Sequence, residues 1–141
     1  MISTLFEDIA PARAMGIQVN GFENGRIELV APIGLNINDK GTAFAGSIAS
    51  LLTLAGWGAI TLRLKEAGVE ADVMVVKSET SYPSAARSAL FAEAAVSEAE
   101  RARVFQELEE SGRSRIEVKS ALHSDGIECA AMTASFAIIA R

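Results

Sequence analysis

The stretch Asn36-Ile-Asn-Asp-Lys-Gly-Thr-Ala-Phe-Ala-Gly-Ser47 opens the longest apolar run of this chain. The run that follows carries no charged side chain until Arg63. We place the start of a helix here, with Thr42 as its N-cap, because a threonine hydroxyl can accept from a free backbone N–H of the first turn. We place its end at Gly68, which can adopt the left-handed C-terminal cap. The segment 36–68 therefore predicts one long helix behind a polar loop.

A rotation of about 100° per residue separates two faces of this helix. The apolar face, which we expect to bury against a broad surface, consists of Ile48, Leu51, Leu52, Ala55, Ala59 and Leu62. The opposite face consists of Gly46, Ser50, Thr53 and Trp57. Since small residues allow close approach, we expect the second face to contact a partner subunit or a ligand chain.

The same run is long enough to cross a membrane, because about 20 apolar residues span a bilayer. Its glycines, serines and threonines, and the lack of flanking aromatic or basic clusters, argue against that reading. The rest of the chain also predicts a sheet that needs a helix to cover it. We therefore favour a buried helix and expect no membrane partner. An integral membrane protein stays the alternative, which solubility without detergent would exclude.

Composition limits the function classes. A chain of 141 residues predicts a single domain, 1–141, and half of its residues are hydrophobic, which favours an oligomer. Its 13 basic and 18 acidic residues argue against a nucleic-acid binder. The single Cys129 and the single His123 argue against a disulfide and a metal centre, so we expect no metal. The acidic N-terminus lacks the basic region of a signal peptide, so we expect a cytoplasmic location.

Alternating apolar and polar residues predict the other elements. An N-terminal helix is expected over 3–14, broken by Pro11. Strands are predicted over 15–22, 26–31, 71–82, 87–97, 113–123 and 127–139. Asn24-Gly25 and Asp125-Gly126 predict hairpin turns. The strand at 71–82 is predicted to be buried, with Pro83 marking an edge or a bulge. Residues 98–111 fit either a loop with a helix or a strand extension.

This order of elements predicts an α+β fold. We expect one curved antiparallel sheet of about six strands wrapped around one long central helix. Such a sheet has a second face and two edges left over, which favour pairing with a second copy.

Three motifs resemble a thioesterase family with the hot-dog fold, which is found at the C-terminus of some acetyltransferase fusions and as stand-alone chains. They are Asn38-Asp-Lys-Gly-Thr-Ala-Phe-Ala-Gly-Ser47, Leu54-Ala-Gly-Trp-Gly58 and Gly112-Arg-Ser-Arg115. The resemblance covers essentially the whole chain. It implies a homodimer or a dimer of dimers, with active sites at subunit interfaces. It also implies acyl thioesters of coenzyme A or acyl carrier protein as ligands, with no separate cofactor.

Hot-dog thioesterases in general place an asparagine in the loop, two small residues at the helix start and an acid about two turns along. The resemblance maps these onto Asn38, onto Ala45 and Gly46, and onto about Thr53. Thr53 is not acidic, so the usual base or nucleophile of the helix is missing. Either Asp39 in the loop takes that role or catalysis is weak.

Thioester hydrolysis needs a polarised carbonyl and an activated water. We expect the backbone N–H groups of Ala45 and Gly46 to form an oxyanion hole, because first-turn N–H groups are unpaired and carry the positive end of the helix dipole. A small-residue contact between helix and strand is the alternative. Asp39 is the candidate general base and Asn38 the candidate for orienting water. For both, a turn-stabilising role is the alternative.

Further candidate substrate contacts are Asn36, Lys40, Phe44, Ser47, Ser50, Thr53, Arg113 and Arg115. Arg113 and Arg115 share a strand face and are candidates for the phosphates of coenzyme A, although they suit a solvated sheet edge at least as well. The loop has no histidine, which disfavours a dehydratase. The predicted function is acyl thioester hydrolysis. The alternative, motivated by Thr53, is a non-catalytic acyl-thioester-binding module.

Overall fold

One long helix and one antiparallel sheet make up most of the protein. The computed structural model describes residues 2–141, Ser3 by its backbone alone. The helices are α1 (Ala10–Ala14), α2 (Ala45–Glu66) and α3 (Glu98–Ser111), with 3-10 turns at Ile2–Thr4 and Ile33–Leu35. The strands are β1 (Gln18–Glu23), β2 (Arg26–Ala31), β3 (Ala71–Ser81), β4 (Leu90–Ala95), β5 (Arg113–Ser124) and β6 (Ile127–Ala140). The six strands form one sheet in the order β1-β2-β4-β5-β6-β3, as the α+β prediction required.

Both predicted hairpins are confirmed. Asn24 and Gly25, between β1 and β2, have φ angles of 51° and 77°. Asp125 and Gly126, between β5 and β6, have φ angles of 53° and 74°. Positive φ at both central residues is the two-residue turn whose twist matches that of paired strands, and Asn-Gly and Asp-Gly adopt it most readily.

Helix α2 packs its predicted apolar face against the concave side of the sheet. All six residues of that face are buried, as is Gly56, where a Cβ would lie 3.0 Å from the Phe136 ring. Gly68 has a φ of 69°, which confirms the predicted left-handed end. The predicted N-cap was wrong: Phe44, not Thr42, is the N-cap, and its side chain makes no capping hydrogen bond.

Strand β3 is an edge strand, so the prediction that 71–82 is buried was wrong. β3 pairs with β6 alone, and Met74, Val75 and Val76 keep 42%, 43% and 46% of their surface exposed in the protomer. The apolar run of β3 is typical of a strand that is covered on both faces. The position of a strand in the sheet, and therefore its exposure, cannot be predicted from the sequence of that strand alone. The edge predicted from Pro83 is confirmed, with a register shift between Val75 and Lys77.

Pro11 begins a helix rather than breaking one. The predicted helix over 3–14 is instead the turn at Ile2–Thr4 followed by α1, with Pro11 in its first turn. Proline suits that position because its missing N–H would be unpaired there in any case. Residues 98–111 form a helix, capped by the Ser97 hydroxyl, which accepts from the Glu100 N–H at 3.1 Å.

Helix α2 is long and apolar enough to span a membrane by length and composition alone. Half of its most apolar window is buried inside the protein. A core helix of this length meets the same criterion, so the observation is weak evidence for a membrane span.

Candidate functional site

The loop before α2 is held in place by backbone hydrogen bonds. An isolated antiparallel bridge between Ile37 and Ala43 closes it, and the Asn38 N–H donates to the Thr42 carbonyl at 2.8 Å. The Ala43 N–H donates to the carbonyl of Ala86 at 2.8 Å. Residues 37–43 therefore form a closed loop that is fixed to the connection between β3 and β4.

The Asn38 side chain uses all of its hydrogen-bonding capacity inside this loop. Its Oδ1 accepts from the N–H groups of Lys40 at 2.8 Å and Thr42 at 3.1 Å. Its Nδ2 donates to the Thr42 Oγ1 at 2.9 Å and to the Ala43 carbonyl at 3.4 Å. A side-chain amide has two donors and two lone pairs, so nothing is left in this conformation for a water molecule. The turn-stabilising alternative describes Asn38 better than water orientation does.

The first turn of α2 has free backbone donors. The Phe44 N–H donates to the Asn36 carbonyl at 2.7 Å, and the Ile48 N–H donates to the Phe44 carbonyl at 3.1 Å. Between these two, the N–H groups of residues 45–47 have no acceptor in the described part of the chain. Ala45 and Gly46 are exposed. These donors lie at the positive end of the helix dipole and are available to an anion or a carbonyl oxygen.

The Phe44 ring lies against Gly46. A Cβ added at Gly46 would lie 2.4 Å from the Phe44 Cε2, and the phenylalanine is 55% exposed. The exposed Phe44 ring therefore lies beside the free backbone donors, and a side chain at position 46 would occupy the same space as the ring.

Asp39 lies near the tip of the loop. Its carboxylate accepts from the Lys40 ammonium at 3.1 Å, and the two side chains are 83% and 76% exposed. Such an exposed pair contributes little to stability. In the protomer the Asp39 carboxylate is open to solvent.

Asn36 is buried beneath the loop. It is 2% exposed, and its Nδ2 donates to the carbonyls of Met15 at 2.9 Å and Pro32 at 2.8 Å, while its Oδ1 has no partner. The prediction that Asn36 contacts substrate does not fit this burial. The side chain instead anchors the loop to the N-terminal segment.

The small face of α2 borders a cleft of ≈ 370 Å³. It is lined by Ile9, Pro11, Ala12, Met15, Ala49, Ser50, Thr53, Leu54, Ser78, Thr80 and Met132. The structure thus brings together the predicted Ser50 and Thr53, while Ser47 is half-buried one turn earlier. Sequence reasoning missed Met15, Met132 and the two β3 residues, because contacts between distant segments leave no local pattern.

Arg113 and Arg115 lie far from the loop. They lie at the start of β5. Ser124, at the other end of β5, accepts from the N–H of Ser88 at 3.2 Å, close to the point where the loop is bonded to Ala86. At about 3.3 Å per residue, the length of β5 separates Arg115 from that end by about 30 Å. One protomer does not bring these arginines to Lys40. Both arginines are exposed, and β4 pairs only with residues 120–123 of β5, so the stretch with Arg113 and Arg115 pairs with β6 alone, as the solvated-edge alternative expects.

Three other residues with reactive side chains, His123, Cys129 and Glu79, lie outside the loop. His123 pairs with Phe91 and Glu128 across the sheet, on the side that faces away from α2. Cys129 is buried, and that burial raises the pKa of its thiol. Glu79 is exposed on β3. Within residues 2–141, no three His, Cys, Asp or Glu side chains are grouped so that they could hold a metal ion.

Comparison with known proteins places these features in a family. The model of the family described as "Putative thioesterase (yiiD_Cterm)" matches residues 1–140. A solved structure of a protein of unknown function from Chlorobaculum tepidum has a TM-score of 0.93 at 25% identity, with 99% of this chain and 93% of that chain covered. A thioesterase structure from Shewanella oneidensis, described as putative, has a TM-score of 0.87 at 25% identity, with 96% and 92% covered.

A third structure supports the fold alone. It is a probable thioesterase from Pseudomonas aeruginosa, with a TM-score of 0.87 at 20% identity and 99% and 93% of the two chains covered. Together with the observed sheet around one helix, these matches confirm the predicted hot-dog fold.

Proposed function

This chain belongs to the thioesterase family whose model spans residues 1–140, and from that premise we propose that it hydrolyses acyl thioesters at the N-terminus of α2. The observation that carries the proposal is the uncapped first turn, whose N–H groups at Ala45 and Gly46 face an exposed surface. Preorganised donors of this kind stabilise the oxyanion of acyl transfer more strongly than water does, because they need no reorganisation.

In the proposed reaction, water attacks the thioester carbonyl carbon while the carbonyl oxygen is held by the N–H groups of Ala45 and Gly46. The new C–O bond forms as the water proton passes to a base. The tetrahedral intermediate then collapses, the C–S bond breaks, and the thiolate takes the proton from the base to leave as a free thiol. The products are a carboxylic acid and coenzyme A or the thiol of an acyl carrier protein.

We assign the base to Asp39, the carboxylate nearest in sequence to the helix start. Asn38 is a positioning residue in this proposal, because its side chain shapes the loop that carries Asp39. Phe44 and Ser47 flank the reacting carbonyl. Lys40 is the candidate for the phosphates of coenzyme A.

We further propose a cytoplasmic homodimer. Strand β3 offers a second copy an unpaired edge with three exposed apolar residues, Met74, Val75 and Val76. Unpaired edges of this kind are normally covered or blocked by charge. A second copy is also the means by which Glu79, Arg113 or Arg115 would approach a site that lies beyond their reach within one protomer.

A non-catalytic acyl-thioester-binding module is the second candidate. It is favoured by Thr53, whose hydroxyl donates to the Ala49 carbonyl at 2.8 Å in the place where the resemblance to hot-dog thioesterases leads us to expect an acid. The exposure of Asp39 in the protomer points the same way. Both candidates use the same donors and the same cleft, and they differ in whether a base is present.

Thiol release from a panel of acyl-coenzyme A esters, from short to long and aromatic, tests the proposal. We expect release with the wild type and its loss in Asp39→Asn. Release that is unchanged in Asp39→Asn would show that the base is assigned wrongly. No release from any ester or from acylated carrier protein, combined with measurable binding, would favour the binding module.

A further inference from the structure

The cleft beside Ser50 begins one helical turn beyond the proposed oxyanion site. At about 1.5 Å of rise per residue, Ser50 lies about 6 Å along the axis from Gly46, and Thr53 lies about 10 Å along it. The most deeply buried lining residues are Ala12 and Met132, which are 0% and 4% exposed. A thioester held at Gly46 can therefore direct one of its two substituents into this cleft.

The cleft is apolar inside and polar at its mouth. The Thr53 hydroxyl donates to the Ala49 carbonyl at 2.8 Å and lies 3.6 Å from the Met132 sulfur, so its proton is already used. The lining hydroxyls without a hydrogen-bond partner among the described residues belong to the exposed Ser50 and Ser78 and to the half-buried Thr80. No charged side chain lines the cleft within residues 2–141. The lining thus suits an uncharged alkyl chain with its thioester at the mouth.

Two larger depressions have a different character. One, of ≈ 730 Å³, is lined in part by Glu79, Glu93, Glu117 and Lys119. The other, of ≈ 770 Å³, is lined in part by Glu7, Asp8, Lys65 and Arg141. Charged side chains make both poor sites for an alkyl chain, because such a chain would displace their water without replacing its hydrogen bonds.

We propose that the cleft binds an uncharged acyl group of medium length, and that Ala49 and Met132 set that length. This inference rests on the proposed function and names its substrate class. A cleft of ≈ 370 Å³ holds about twelve groups of about 30 Å³ each, the share of one water molecule in the liquid. With part of that space left to the thioester, the chain has about six to ten carbons.

Two substitutions change the cleft in opposite directions. Ala49→Leu fills it from the half-buried side of α2 and keeps a strong helix former. Met132→Ala enlarges it by removing three non-hydrogen atoms of a flexible side chain. Each methylene of the acyl chain that the cleft gains or loses room to bury changes kcat/KM by about fourfold. We therefore expect Ala49→Leu to shorten the preferred chain by about two carbons and Met132→Ala to lengthen it by about two.

Met132→Leu conserves volume at the same position, so it should move the preferred chain length less than Met132→Ala does. Leu108→Ala, which truncates a buried side chain of α3 outside the cleft, controls for general loss of stability and should not move the preferred chain length. The readout is kcat/KM across straight-chain acyl-coenzyme A esters of two to sixteen carbons, with 3-hydroxy and ω-carboxy esters of the preferred length.

The inference holds if medium chains are preferred, polar derivatives are disfavoured, and the two variants move the preference in opposite directions. It is overturned if hydrolysis occurs with a preference for acetyl, aromatic or polar esters, or if both variants lower every rate by the same factor. If the wild type hydrolyses none of the esters, the proposed function fails. Calorimetric binding of the same esters then decides the inference, because a Kd that does not depend on chain length overturns it.

Discussion

The Asn38 side chain makes two hydrogen bonds to Thr42: its Oδ1 accepts from the Thr42 N–H at 3.1 Å, and its Nδ2 donates to the Thr42 Oγ1 at 2.9 Å. The Thr42 hydroxyl is thereby bound inside the loop, and the helix starts at Ala45 with Phe44 as its N-cap. An uncapped first turn is less stable than a capped one by about 1 kcal/mol. The backbone N–H groups of residues 45–47 therefore remain free for a ligand.

Replacing Asn38 by alanine should loosen the loop without unfolding the domain. The variant loses the acceptor of the Lys40 and Thr42 amides, and we expect a loss of about 1–3 kcal/mol in the free energy of unfolding. Hydrogen exchange should become faster at these two amides, and thiol release should fall. Thr42→Val removes the hydroxyl contact alone and should have a smaller effect on both. Wild-type activity in Asn38→Ala would contradict the positioning role.

A positive charge on the β3 edge should separate the proposed dimer. Val76→Lys places an ammonium on the unpaired edge, where charge opposes strand pairing. We expect sedimentation to show dimers for the wild type and monomers for the variant, with loss of thiol release. Ile127→Lys changes a residue that is 57% exposed at the β5–β6 turn and should stay dimeric. A Val76→Lys protein that remains dimeric would show that the interface lies elsewhere.

Substitutions at Arg113 and Arg115 test whether a second subunit contributes to a site for the phosphates of coenzyme A. If they bind the phosphates of coenzyme A, Arg113→Ala with Arg115→Ala should raise KM for acyl-coenzyme A by about tenfold, the effect of one lost charged hydrogen bond. KM for an acyl-pantetheine, which has no nucleotide, should not change. Arg141→Ala, which breaks an exposed pair with Asp72, is the control. Equal changes with both substrates would rule out a phosphate contact.

The contacts of Glu107 between α3 and β5 should stabilise the fold less at acidic pH than at neutral pH. The Ser114 hydroxyl, which donates to Glu107 at 2.6 Å, and then Arg103 hold the pKa of Glu107 below its ordinary value of 4.5. A carboxylate with a lowered pKa stabilises the folded state above its unfolded-state pKa, and that contribution is lost as the pH falls through the folded-state value. Glu107→Gln should therefore lower Tm by more at pH 7 than at pH 3, while Glu109→Gln, at an exposed position, should change Tm little. A Tm gap that is equal at both pH values would contradict this assignment.

The features that could be predicted from the sequence depend on short-range geometry. The hairpins follow from Asn24-Gly25 and Asp125-Gly126, because both turns need positive φ at two adjacent residues. The six residues that a rotation of 100° per residue assigns to the apolar face of α2 are all buried, but so are Gly56, Gly58, Ile60 and Leu64, which that rotation does not assign to it. A loop rich in turn formers before an uncharged helix likewise located the candidate site.

The features that could not be predicted depend on contacts between distant residues. The exposure of β3 is set by its place at the end of the sheet, and the burial of Asn36 is set by the carbonyl of Met15. Helix α2 begins at Ala45 and not directly after Thr42, whose hydroxyl accepts a hydrogen bond from Asn38 inside the loop. The far position of Arg113 depends on the direction of β5, which local sequence does not reveal.

The most direct test of the account is the rate of thiol release by Gly46→Ala, measured with the ester that the wild type hydrolyses fastest. Alanine suits the first turn of a helix, so the fold and Tm should be kept. Its Cβ would lie 2.4 Å from the Phe44 Cε2, so the ring has to shift, and we expect the rate to fall about 100-fold, as a displacement of about 1 Å can cause. Gly21→Ala, where a Cβ meets nothing within 4 Å, should keep the wild-type rate. A folded Gly46→Ala protein that releases thiol at the wild-type rate would contradict hydrolysis at the N-terminus of α2.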